Sequence, residues 1–190
     1  MIQQWKREVL EKMGIEWVEL SDREWLILLL GIDGKSPIVG EHVFHTIFFL
    51  YPLSPFDVKP LFVVPYSPDI AKLIAELRKQ GVVERRLEVV KNELVDVYSL
   101  TTQGATQFAE LLRKLRGRWV LLDGLVAKPA ERLIEELEAL KRTYNGKSPK
   151  SILRLLLNKV RSEDTVVTAR IGKDAVEYLK TLIRYGVPIL

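Results

Sequence analysis

Glu41-His42-x-x-His45 sets two imidazoles one helical turn apart beside a carboxylate, the most metal-like pattern in this 190-residue chain. Zinc needs three or four ligands, and there is no third His and no Cys to complete a set. The surrounding segment is apolar, so both histidines are expected as packed or hydrogen-bonded residues. Asp33-Gly34-Lys35-Ser36 has the residues of a phosphate loop without the upstream glycine spacing of the Walker pattern, and it reads as a turn. No Ser has an identifiable base, and no carboxylate pair stands out. No catalytic residue, metal or cofactor is therefore expected.

The remaining chemistry is cationic. The net charge of +4 divides unevenly. Residues 1–66 carry 6 basic and 9 acidic side chains, residues 67–102 carry 6 of each, and residues 103–190 carry 17 and 10. Within the last part, Lys141, Arg142, Lys147, Lys150, Arg154, Lys159 and Arg161 form a stretch with no acid among them. Such a block attracts phosphate-bearing partners, or it is a solvated face that pairs with Glu135, Glu136 and Glu138. On a helix after Ser148, Lys150, Arg154, Asn158 and Arg161 line one face opposite Leu153, Leu156 and Val160. Lys147 and Ser148 at its start would add backbone donors.

These groups must be held by helices and one hairpin. Residues 2–13 read as a short helix stopped by Gly14. Ser21-Asp22-Arg23-Glu24 is a capping box before Trp25, Leu26, Leu28, Leu29 and Ile32. A buried helix follows over about 41–51. A proline-punctuated connector then leads to Ser67-Pro68-Asp69, with Ser67 as N-cap, and to Ile70, Leu73, Ile74 and Leu77 as a core face. Val82–Val90 and Leu94–Leu100 flank the turn Lys91-Asn92-Glu93 as a β-hairpin. Thr101-Thr102 caps the helix of Phe108, Leu111 and Leu115. Residues 119–126 read as strand or tight connection. Helices are expected over Pro129–Arg142, after Ser148-Pro149, and from about Lys173 to Tyr185.

Helix, helix, helix, hairpin, helix over residues 21–116 is the order of a winged helix-turn-helix domain. The expectation is an α+β, mostly helical chain: an N-terminal helix and lead-in (1–20), a winged-helix domain (21–118) and a basic helical region (119–190). Ser67–Gln80 would be the groove-facing helix with Lys72 and Lys79 outward. Arg85, Arg86 and Lys91 of the wing would meet the backbone, and Lys147, Lys150 and Arg154 would make a second phosphate contact. Two features weaken direct base reading. The connector before the third helix is about 15 residues, where a helix-turn-helix turn has roughly 3–4. The third helix also carries little net charge.

The stretches GKSPIVGEHVFHTIFFL, PYSPDIAKLIAELRKQGVV and YSLTTQGATQF resemble the YwgA-like group of winged-helix proteins of bacteria and archaea, as does the later GKSPKSILRLLLNKV. The resemblance spans roughly residues 21–160. It implies the winged-helix fold and points to no defined biochemical role, because its motifs are caps, a wing and a helix start.

The reading that results is a non-enzymatic protein binding double-stranded DNA as a transcriptional regulator. The alternative is a protein-interaction module, antitoxin-like or a complex subunit. Leu133, Ile134, Leu137 and Leu140 would serve either intramolecular packing or a homodimer seam. No apolar run approaches the roughly 20 residues of a membrane span, and no signal peptide is evident, which points to the cytoplasm. Scarce Asn and Met beside many Lys, Glu and Arg resemble thermophile usage.

Overall fold

The computed structural model of the chain describes residues 4–60, 64–90, 92–122, 126–171 and 176–177. The architecture is α+β. Helix α1 (Gln4–Lys12) leads to β1 (Trp17–Val18), then α2 (Asp22–Lys35), β2 (Ile38–Val39) and α3 (Glu41–Leu50). The proline-rich connector holds a two-residue ladder, β3 (Lys59–Pro60) against β4 (Pro65–Tyr66). Helix α4 (Pro68–Lys79), the hairpin β5 (Val83–Val90) and β6 (Glu93–Leu100), and α5 (Thr102–Leu115) follow. The chain continues through β7 (Trp119–Leu122), β8 (Val126–Pro129), α6 (Ala130–Tyr144), α7 (Pro149–Arg161) and α8 (Thr165–Ile171).

Helix α2 is the centre of the core. Its capping box forms as the spacing predicts: the Glu24 N–H donates to Ser21 Oγ at 3.3 Å, and the Ser21 N–H donates to Glu24 Oε2 at 2.8 Å. Every residue from Trp25 to Ile32 is buried, because α5, α6 and the sheet close around it. Close approach requires glycine twice. A Cβ on Gly31 would stand 2.2 Å from the Phe108 ring, and one on Gly104 would stand 2.2 Å from the Val82 carbonyl oxygen. Gly104 thereby lets α5 start hard against the hairpin, where Thr101 caps it by accepting from the Gly104 N–H at 3.1 Å.

Residues 119–122 resolve as a strand with one partner far away in sequence and one next to it. β7 pairs in parallel with β1, Trp17 opposite Trp119, and antiparallel with β8. A second sheet has the order β2-β6-β5, all antiparallel, so the short strand before α3 lies against the inner strand of the hairpin. One hydrophobic core crosses the divisions at 20/21 and 118/119. Leu133, Leu137, Ile152 and Val160 join the same cluster as Trp25, Phe48 and Leu115.

The main departures from sequence expectation lie at two helix ends. Ser67 precedes α4 as expected, but its hydroxyl makes no capping bond and is buried without a partner. The Ser67 N–H donates instead to His45 Nδ1 at 3.2 Å. The helix expected over 173–185 lies almost wholly outside the described residues. An unforeseen helix, α8, precedes it, with its first-turn N–H groups at Val166 and Val167 donating to Asp164 Oδ1. Among the described residues no helix is long and apolar enough to cross a membrane.

Candidate nucleic-acid interface

Three elements carry the cations the sequence singles out: α4, the hairpin and α7. On α4, Ile70, Ile74 and Leu77 are buried, which turns Lys72, Glu76 and Lys79 outward. Lys72 Nζ lies 4.0 Å from Glu76 one turn on. Lys79 makes no ion pair among the described residues. Together with Arg78, Ala75 and the strand residues Val83, Glu84 and Arg85, Lys79 lines an open groove of about 460 Å³ between α4 and β5. The fold thus brings Lys79 and Arg85 together, and adds Arg78. A cation in the last turn of an amphipathic helix was the available signal for that residue.

The hairpin arginines are already engaged. Arg85 Nε donates to Asp96 Oδ1 on the neighbouring strand. Arg86 grips Glu84 two residues back, with Nη2–Oε1 at 2.8 Å. This pairing, with a hydrogen bond from Ser99, holds the Glu84 carboxyl below the usual carboxylate range. Period-two alternation sets Glu84 and Arg86 on one face of β5, so among the described residues the hairpin offers little free positive charge. Lys91 lies outside the described residues.

The acid-free stretch is similarly thinned. Lys141 is buried in the core, its Nζ donating to the carbonyls of Leu30 at 3.1 Å and Ile32 at 3.0 Å. Burial pushes its amine down to about 8 against the pull of Asp33 and Glu138. Arg142 pairs with Asp33 (Nε–Oδ1 2.7 Å) and Glu138 (Nη2–Oε2 3.3 Å), and Lys159 pairs with Asp164 at 2.7 Å. Three of the seven cations are therefore committed to the fold. A charge count along the chain misses most of this, because apart from Glu138 on α6 itself their partners come from α2 and from the turn after α7.

What remains is the face of α7. Lys150, Arg154, Asn158 and Arg161 are all exposed, and among the described residues the three cations make no ion pair. Ser148 caps the helix by accepting from the Ser151 N–H at 3.3 Å. The buried side, Ile152, Leu156, Leu157 and Val160, fixes which way the cations point. The start of α7 is fastened to the start of α3. His42 Nε2 bonds the Lys147 carbonyl at 2.8 Å, Asn145 Oδ1 accepts the Val39 N–H at 2.8 Å, and Asn145 Nδ2 donates to the Pro37 carbonyl at 2.8 Å. Asn145 is the positioning residue that sequence reading missed. An Asn at a helix end before Gly146 was its signal. Arg161 and Asn158 extend the expected contact set of Lys147, Lys150 and Arg154 by two turns.

The histidines divide. His42 holds the Lys147 carbonyl, and burial lowers its affinity for a proton. His45, buried, stacks on Tyr66 at 4.8 Å between ring centres, with Nε2 3.8 Å from Glu41 Oε1. His45 and the Tyr98 hydroxyl, which donates to Glu41 at 2.7 Å, hold that carboxylate below its usual range. Among the described residues no cluster of three metal-ligating side chains occurs. The α6 stripe is used internally: Leu133 and Leu137 are fully buried against α2 and α3. No family model matches the chain, and neither does any curated protein or solved structure.

Proposed function

We propose that the chain is a winged-helix protein that binds double-stranded DNA without catalysis, as a regulator of transcription. The fold reading is supported by the helix–strand–helix–helix–hairpin order and by the short β2 strand lying against the inner strand of the hairpin. The observation that carries the binding reading is the unpaired cationic face of α7, tied by His42 and Asn145 to the start of α3. In this reading Lys147, Lys150, Arg154 and Arg161 follow phosphates, Lys72 and Lys79 of α4 face the groove, and the hairpin contributes weakly because Arg85 and Arg86 are neutralised. The YwgA-like resemblance agrees with this reading of the fold.

Binding of a random-sequence duplex, followed by fluorescence anisotropy across a salt series, tests it. Log K should fall linearly with log salt, and Lys150→Glu with Arg154→Glu should abolish binding at moderate salt. A flat salt response, or no binding at low salt, refutes the proposal. One observation favours a second reading, a protein-docking hairpin: Leu87, Val89 and Leu94 are exposed apolar side chains at its outer end.

A further inference from the structure

Strand β5 is the outer strand of its sheet, and its eight residues make a long open edge. The Thr101 N–H donates to the Val82 carbonyl at 3.1 Å, and the same register sets Glu84 opposite Ser99 and Arg86 opposite Val97. Hydrogen-bonded pairs alternate along an antiparallel ladder, so the even-numbered residues of β5 bond inward to β6. Arg85, Leu87 and Val89 therefore turn their N–H and C=O groups outward. Leu87 and Val89 also share a face with Leu94, which stands opposite Val89. These three are 61%, 73% and 67% exposed. Their face is the one that buries Val83 and Tyr98 nearer the core, continued beyond its cover.

We infer that this edge pairs with the same edge of a second copy of the chain, antiparallel, about a two-fold axis through Leu87. Parity and charge select that register. Outward residues must meet outward residues, which restricts the axis to a residue of β5 and excludes positions between residues. With Leu87 on the axis, Arg85 meets Val89 of the second copy, and Arg86 meets Glu88 in two symmetric pairs. An axis through Arg86 sets that arginine on itself and Glu84 on Glu88. An axis through Glu88 sets two glutamates together, and one through Arg85 sets two arginines together; like charges directly opposite repel. The Arg85 axis also sets Glu84 on Arg86, but only the Leu87 axis joins opposite charges across the edge without setting like charges together. Leu87, Val89 and Leu94 of both copies then form one apolar strip. Three residues per copy is a small contact beside the roughly 1,200 Å² of a stable interface, so the dimer depends on concentration. The inference goes beyond the DNA reading and does not rest on it.

Sedimentation equilibrium of the full chain without DNA reads the association directly. Arg86→Glu alone and Glu88→Arg alone should each weaken the dimer at least tenfold, and the double swap should restore it. The chain has no Cys, so Leu87→Cys supplies a single thiol on the axis. Under mild oxidation it should give a disulfide dimer faster than Arg85→Cys or Val89→Cys alone, while a mixture of those two cross-links to each other. A monomer at every concentration, a double swap that stays monomeric, or equal self-cross-linking at 85, 87 and 89 overturns the inference. DNA binding is a separate measurement, so either reading can fail while the other stands.

Discussion

Lys141 donates from a fully buried ammonium to the Leu30 carbonyl at the end of α2. The bond to Ile32 beside it satisfies a second carbonyl where the helix gives way to three consecutive left-handed residues, Asp33, Gly34 and Lys35. Two of them are not glycine, which costs conformational energy. Arg142 on the Asp33 carboxylate and Glu138 on the Asp33 N–H hold the turn in place.

Stability should report this buried amine. Burial lowers its folded value to about 8 from an ordinary 10.5. The folded chain thus binds this proton more weakly than the unfolded chain. Below pH 8 the amine is charged in both states, and burying it costs roughly 3 kcal/mol; that cost vanishes as pH rises from 8 to 10.5. Urea unfolding of the wild type and Lys141→Met at pH 7.5 and 10 should show the wild type gaining on the variant at the higher pH. Parallel responses would refute the assignment.

Gly31 and Gly104 should differ on substitution. Gly104→Ala sets a Cβ against the Val82 carbonyl oxygen, which the Thr101 N–H holds in place, and should cost about 3 kcal/mol or more. Gly31→Ala meets the Phe108 ring, which a smaller side chain can relieve. Thermal unfolding should find Gly31→Ala/Phe108→Leu less destabilised than the sum of its single changes.

Asn145→Ala removes both bonds to the β2 segment and should cost about 2 kcal/mol in chemical unfolding. Its duplex affinity should drop while the salt slope holds, because no phosphate-facing cation is lost. A changed slope would mean Asn145 does something other than position α7.

Salt series should also separate the cations. Lys150→Gln and Arg154→Gln should each lower the slope of log K on log salt by about 1. Arg85→Gln and Arg86→Gln should leave it nearly unchanged, since both already sit on carboxylates. Equal effects at all four positions would return the hairpin to the phosphate contact.

Sequence reading captured what is locally determined. Ser21, Thr101 and Ser148 cap their helices because each bond closes within three residues. Ser67 does not: its hydroxyl is buried without a partner, while its N–H is held by His45, 22 residues earlier. The α7 face was legible as a stripe at helical spacing. Lys141 was not, since a buried lysine is recognised only by the carbonyls it meets from a helix 109–111 residues away. The strand at Trp17 was missed for a related reason: two residues carry no period, and their partner is β7.

That parallel pair also sets an order of events during synthesis. Trp17 leaves the ribosome roughly a hundred residues before Trp119, its opposite number. At about 5–20 residues per second the wait is roughly 5–20 s. The hairpin and its contacts with α2, α4 and α5 can form in that interval, while α6, which closes over α2 and α3, is made only afterwards. Strand β1 therefore waits for the second half of the fold, and translation speed through residues 20–119 governs how long its edge stays open to proteases and chaperones.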